Sequence, residues 1–128
     1  MNNKYNNCNY NIIRSNGTEL IQSDKLPQDE VFHGFSTRNG GVSREPYASL
    51  NLGLSRDEPK ENILRNFRIL CDAFGLDFEK LVIVNHEHGS NVIRVDSSHC
   101  GRGLYREPLP FCDGLITDDP NAVSYTHL

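Results

Sequence analysis

The residues with the clearest chemical potential are two histidines in the run Asn85-His86-Glu87-His88-Gly89, placed just after an apolar stretch. If the chain continues extended through them, side chains alternate and both imidazoles project to the same side. Two such nitrogens can hold zinc or copper at about 2.0–2.1 Å, with Glu87 pointing away. An equally open reading is one surface histidine and one hydrogen-bonded beside a turn. A metal site needs three or four donors, and His99, Cys100 and Cys112 fit no standard zinc spacing. They read as plain loop residues.

A second set of groups lies in Ser36-Thr37-Arg38-Asn39-Gly40-Gly41-Val42-Ser43. Here Arg38 could grip an anion bidentately, while Gly40 and Gly41 offer main-chain N–H groups. No Lys-Ser/Thr follows the glycines, so the loop is not an ATP-type phosphate cradle. A Gly-rich hairpin with a solvated arginine fits the spacing as well. Asp113, ahead of Gly114-Leu115-Ile116-Thr117, could move a proton or orient a hydroxyl. Asp-Gly also commonly caps a turn.

These groups need elements to position them. Two β-like runs, 10–14 and 18–22, flank Ser15-Asn16-Gly17, a strong hairpin signal because Asn and Gly tolerate positive φ. A strand is expected over 31–37. A helix is expected from about Glu58 to Phe74, capped by Asp57 and closed by Gly75, with Ile63, Phe67, Leu70 and Phe74 on one apolar face. Cys71 falls on that face as a small core residue. Strands are expected over 81–84, 91–95 and 111–117, and the first seven residues should fray. This is a mixed α/β set, and one helix cannot cover all its sheet faces.

Composition narrows the function classes. The chain has 128 residues and a formal net charge of -4, with 37% hydrophobic and 23% charged residues. Phosphate neutralisation needs clustered excess Lys and Arg, so nucleic acid is not an expected partner. No apolar run approaches a bilayer span, so no membrane partner is expected either. The N-terminus lacks an apolar signal-peptide core. Without it, Cys8, Cys71, Cys100 and Cys112 are expected as reduced thiols in the cytoplasm.

In order and wording, several of these motifs resemble the bacterial laccase-domain family. The opening run 33–43, then Pro46-Tyr47-Ala48-Ser49-Leu50-Asn51-Leu52-Gly53, Asn66 (followed by Phe67 where the family has Arg), 85–92, and Asp113 to Thr117 all carry the likeness. The family was long labelled multicopper polyphenol oxidoreductases. Members are also described as purine nucleoside phosphorylases with adenosine deaminase and methylthioadenosine phosphorylase activity. The resemblance implies a layered sandwich of mixed β-sheets with flanking helices, and purine nucleosides and phosphate as substrates. It makes His88 the first of three zinc (or, alternatively, copper) ligands, with His86 where Gln is usual. It places Ser36, Arg38, Gly40 and Gly41 at the substrate or phosphate position, with Asp113 lining the same pocket as a catalytic candidate.

The family's other two ligands, a Cys and a His, lie in motifs beyond the Asp113–Thr117 strand that do not occur here. The expected organisation is therefore a variable segment with a hairpin over 1–30 and the N-terminal part of the family domain over 31–121. Residues 122–128 are expected to be a non-native tail, ending in a hexapeptide that resembles a translated sequencing adapter. The intact parent is expected to be an enzyme and the 128-residue chain inactive. Copper-dependent phenol oxidation and a non-catalytic metal-binding module are the alternatives.

Overall fold

The computed structural model describes residues 9–54 and 56–125, so the expectations for the first seven residues, Cys8 and 126–128 lie outside the described residues. The chain forms two compact units that divide between Asn51 and Leu52.

The first unit is built on the expected hairpin. β1 (Tyr10–Ser15) and β2 (Thr18–Ser23) pair antiparallel, with Ile12 opposite Ile21 and Ser15 opposite Thr18. Asn16 and Gly17 turn the chain at φ of 50° and 81°, as a two-residue loop in the twist of the strands requires. Strand alternation puts Thr18, Leu20 and Gln22 on the buried side. β3 is only Phe35–Ser36, not the longer strand expected over 31–37. Side chains explain the loss: His33 Nε2 accepts the Ser23 N–H at 3.0 Å, and Gln22 donates to the His33 carbonyl at 2.8 Å. Upstream, the amides of Glu30 and Val31 turn back to the Pro27 carbonyl.

The second unit carries α1 (Lys60–Phe74). Ile63, Asn66, Phe67, Leu70 and Cys71 recur at helical spacing and are buried, each large apolar one contributing about 1.5–3 kcal/mol of burial. Gly75 closes the helix in the left-handed conformation (φ 69°), its N–H on the Cys71 carbonyl. The Asp57 cap does not form. Pro59 holds the N-cap position with φ near -54°, and no side chain caps the helix, which starts two residues later than expected. Burial pushes the Cys71 thiol up to about 11.

Four short strands follow α1. β4 (Leu81–Ile83) and β5 (Val92–Arg94) each pair parallel with a later strand, β6 (Gly114–Ile116) beside β5 and β7 (Val123–Tyr125) beside β4. Residues 123–125, expected to fall in the tail, thus supply a strand, and the Tyr125 ring meets Phe67 edge-on at 5.0 Å. Val82, Val95 and Leu109 form a buried cluster with Ile93 and Leu115 against it. Val92 and Ile116 remain 60% exposed, although parallel strands are normally covered on both faces. The mixed α/β class therefore holds, as several small sheets and one α-helix among the described residues. None of these helices is long and apolar enough to cross a membrane.

Candidate functional site

The histidine loop, 85–91, lies in the second unit between β4 and β5. It does not run extended. His88 sits at φ 63°, a left-handed conformation that non-glycine residues adopt uncommonly, histidine among the more tolerant. The expected strand-like alternation is therefore absent, yet the rings of His86 and His88 still meet, centroids 4.9 Å apart and planes 67° to one another. His86 is half-buried and His88 exposed.

What bends the loop is the segment 109–113. The Cys112 amide donates to the Asn85 carbonyl and the Asp113 amide to the Asn91 carbonyl, at 2.9 and 2.8 Å. The two asparagine side chains return the contact: Asn85 donates to the Leu109 carbonyl and Asn91 to the Phe111 carbonyl. Between them, Asp113 Oδ1 accepts from the Glu87 amide at 3.3 Å, and Oδ2 from the Gly89 amide at 2.9 Å. His86 Nε2 stands 3.6 Å from Oδ1. Burial pushes the Asp113 carboxyl up, but the N–H groups of Glu87, Gly89 and His88, with His86 nearby, outweigh it and hold the group below its ordinary range. Asn85 and Asn91 had no assigned role in the sequence; their placement three residues either side of His88 was the available signal.

Beside His86 opens a cavity of about 420 Å³, with walls that include Leu52, Ile63 and Val84 and a rim with Lys60 and Arg106. That size falls within the range of small-molecule sites. The Arg106 guanidinium is engaged, donating to the carbonyls of Ser98 and Cys100.

Arg38, Gly40 and Gly41 lie in the first unit, in a glycine loop over 37–51, and Ser36 precedes them at the end of β3. Arg38 donates from Nε and Nη2 to the Ala48 carbonyl at 3.0 and 2.8 Å. The amides of Gly40 and Gly41 both donate to Ser49 Oγ, at 3.1 and 3.3 Å. The groups singled out for an anion thus close the loop on itself. Glu19 on β2 fastens it, accepting from Asn39 Nδ2 at 2.6 Å and Thr37 Oγ1 at 3.3 Å, while Arg14 pairs with its other oxygen at 2.7 Å. The Asn39 and Arg14 hydrogen bonds hold the Glu19 carboxyl below its usual range.

His99 and Cys100 serve the connection between β5 and β6. His99 completes a capping box with Asp96, and the single S–H of Cys100 lies within reach of the carbonyls of Lys80 and Asn121, at 3.5 and 3.3 Å. Cys112 is buried. Among the described residues, no three His, Cys, Asp or Glu side chains converge to hold a metal ion. The imidazole pair has suitable donor chemistry, but the described donors do not make a complete metal site.

A mixed α/β protein that presents its reactive side chains on loops between short strands is the class that fold and site define. The chain belongs to the family described as multi-copper polyphenol oxidoreductase laccase, which matches over residues 32–127. It is 34% identical over 94 residues to the purine nucleoside phosphorylase YlmD of Bacillus subtilis, covering 72% of this chain and 34% of the relative. A purine nucleoside phosphorylase of Mus musculus is 39% identical over 105 residues, covering 80% of this chain and 22% of that protein. The crystal structure of YlmD from Geobacillus stearothermophilus superposes with a TM-score of 0.83 at 26% identity, over 92% of this chain and 43% of the other. The chain therefore spans about a third or less of the length of these curated relatives.

Proposed function

We propose that this chain is part of a metal-dependent purine nucleoside phosphorylase that also deaminates adenosine and phosphorolyses methylthioadenosine. The names of the relatives that match 72% and 80% of the chain support its phosphorylase part; the deaminase and methylthioadenosine activities and the metal dependence follow from the family resemblance. In phosphorolysis a phosphate oxygen bonds to the ribose anomeric carbon as the C–N bond to the purine breaks, and the purine leaves with the bond's electron pair. The roles proposed for this chain follow its donors. Arg38, exchanging the Ala48 carbonyl for an anion, would clamp phosphate bidentately, with Ser36, Gly40 and Gly41 beside it. The cavity at His86 is of a size to take a nucleoside.

Zinc is the metal the family likeness implies, copper the alternative, and His88 is proposed as one ligand of a set completed by donors outside the described residues. Because the described donors do not form that set, no step is derived through the metal. For the same reason the 128 residues by themselves are expected to turn over no nucleoside. The family description favours a second reading, copper-dependent oxidation of phenols.

The test uses protein of the relatives' length with its metal quantified. Phosphate-dependent release of base from inosine or adenosine, followed by chromatography, is the expected result. Phenol oxidation that needs copper, without nucleoside turnover, overturns the phosphorylase reading. His88→Ala should abolish metal retention while His86→Gln leaves it nearly intact; equal losses would restore a two-histidine chelate.

A further inference from the structure

We infer that Asp113 is a positioning residue: its carboxylate fills the concave side of the 86–89 turn and fixes the backbone from which the His88 imidazole projects. The inference rests on the proposed function only in taking His88 as a metal ligand.

Three features support it. First, both carboxylate oxygens are occupied by main-chain donors of the turn, Oδ1 by Glu87 and Oδ2 by Gly89. A carboxylate that exchanges protons with a substrate needs an oxygen aimed at the substrate's hydrogen. Here each oxygen accepts an amide of the loop, so the turn sets the carboxylate's orientation, with one lone pair of each oxygen still open.

Second, Gly89 is favoured by the carboxylate and not by its own backbone. It is not among the glycines with positive φ, yet a Cβ built there would stand 3.1 Å from Asp113 Oδ2 and 3.5 Å from Glu87 Oε1. Glycine at this position lets the main chain close onto the acid.

Third, the centre of the turn holds a conformation uncommon for a non-glycine residue. His88 at φ 63° is held only if the surroundings over-determine it. The asparagines at 85 and 91 fix the two ends of the loop, and Asp113 fixes its middle. Removing the acid leaves the ends tied while the residues between them lose their common acceptor.

The experiment reads the loop directly in the 128-residue chain, without nucleoside or metal. Amide hydrogen exchange and ring-to-ring nuclear Overhauser contacts are measured for the parent, Asp113→Ala, Asp113→Asn and Gly89→Ala. In Asp113→Ala, exchange at Glu87 and Gly89 should rise about tenfold, the His86–His88 contact should vanish, and the α1 amides should be unchanged. Asp113→Asn keeps one carbonyl acceptor and should restore protection at one of the two amides. Gly89→Ala, with the acid still present, should also lose the ring contact.

Unchanged exchange and an intact ring contact in Asp113→Ala overturn the inference. So does equal acceleration at the loop and α1 in both Asp113 variants, which would make Asp113 an ordinary fold residue. Because the readout involves no substrate, the anchor can stand while the phosphorylase reading fails, and the reverse.

Discussion

The glycine loop and the histidine loop each hang from one carboxylate, but the connection differs. Glu19 takes side chains, the Asn39 amide, the Thr37 hydroxyl and Arg14. Asp113 takes main-chain amides directly. In the first loop the groups with binding potential turn inward: the Arg38 guanidinium and the two glycine amides are the loop's own fasteners. In the second, the fastening is done by the Asp113 carboxylate and two asparagine amides, which leaves the His88 imidazole exposed and His86 half-buried beside Asp113. The histidine loop presents His88 as it stands; the glycine loop must release the Arg38 guanidinium and the Gly40 and Gly41 amides before they bind anything else.

The two glycine positions separate these designs most sharply. Gly40 is at φ 101°, and a Cβ there would meet Thr18 Cγ2 at 2.6 Å and the Gly17 carbonyl oxygen at 2.7 Å. Gly40→Ala should therefore destabilise the chain by about 3 kcal/mol in urea unfolding, through both conformational strain and a clash with backbone. Gly89→Ala meets only side-chain atoms, of Asp113 and Glu87, and should cost about 1 kcal/mol. Equal midpoints for the two variants would erase the distinction.

A middle-sized effect is expected from Ser49→Ala. It removes the acceptor of the Gly40 and Gly41 amides and the donor to the Arg38 carbonyl. The loss should be about 1–3 kcal/mol, with faster exchange at both amides. A variant as stable as its parent would show that the hydroxyl is dispensable to the loop.

Acid should give the smallest effect, with the same sign in both loops. Glu19 and Asp113 are depressed from ordinary values of 4.5 and 3.8. A carboxyl lowered by folding contributes fully above its unfolded value and loses that contribution as pH falls through its folded value. Stability should thus be flat above about pH 5 and fall below pH 4. Glu19→Gln should flatten the fall when unfolding is followed against pH.

Much of the scaffold was legible because its causes are local. Asn16-Gly17 sets the hairpin, and the spacing of Ile63, Phe67 and Leu70 with Gly75 sets α1. What was illegible depends on distant partners. β3 shrank because His33 and Gln22 intercept the ladder, and β7 exists only through pairing with β4. At the candidate site, the residue types were readable but their geometry was not. Alternation through His86 and His88 fails because Asp113, distant in sequence, bends the chain there. Likewise, nothing near Arg38 announces that the Ala48 carbonyl takes its guanidinium.

The bonds that close the glycine loop also bear on proteolysis. Arg44, Glu45 and Pro46 are exposed at its tip, the kind of segment proteases nick. A cut after Arg44 would leave Ser49 and Leu50 donating to the Arg38 carbonyl and the guanidinium still on Ala48. The nicked chain should therefore run as two pieces on a denaturing gel and as one species on native sizing, a break in covalent continuity without a break in the fold.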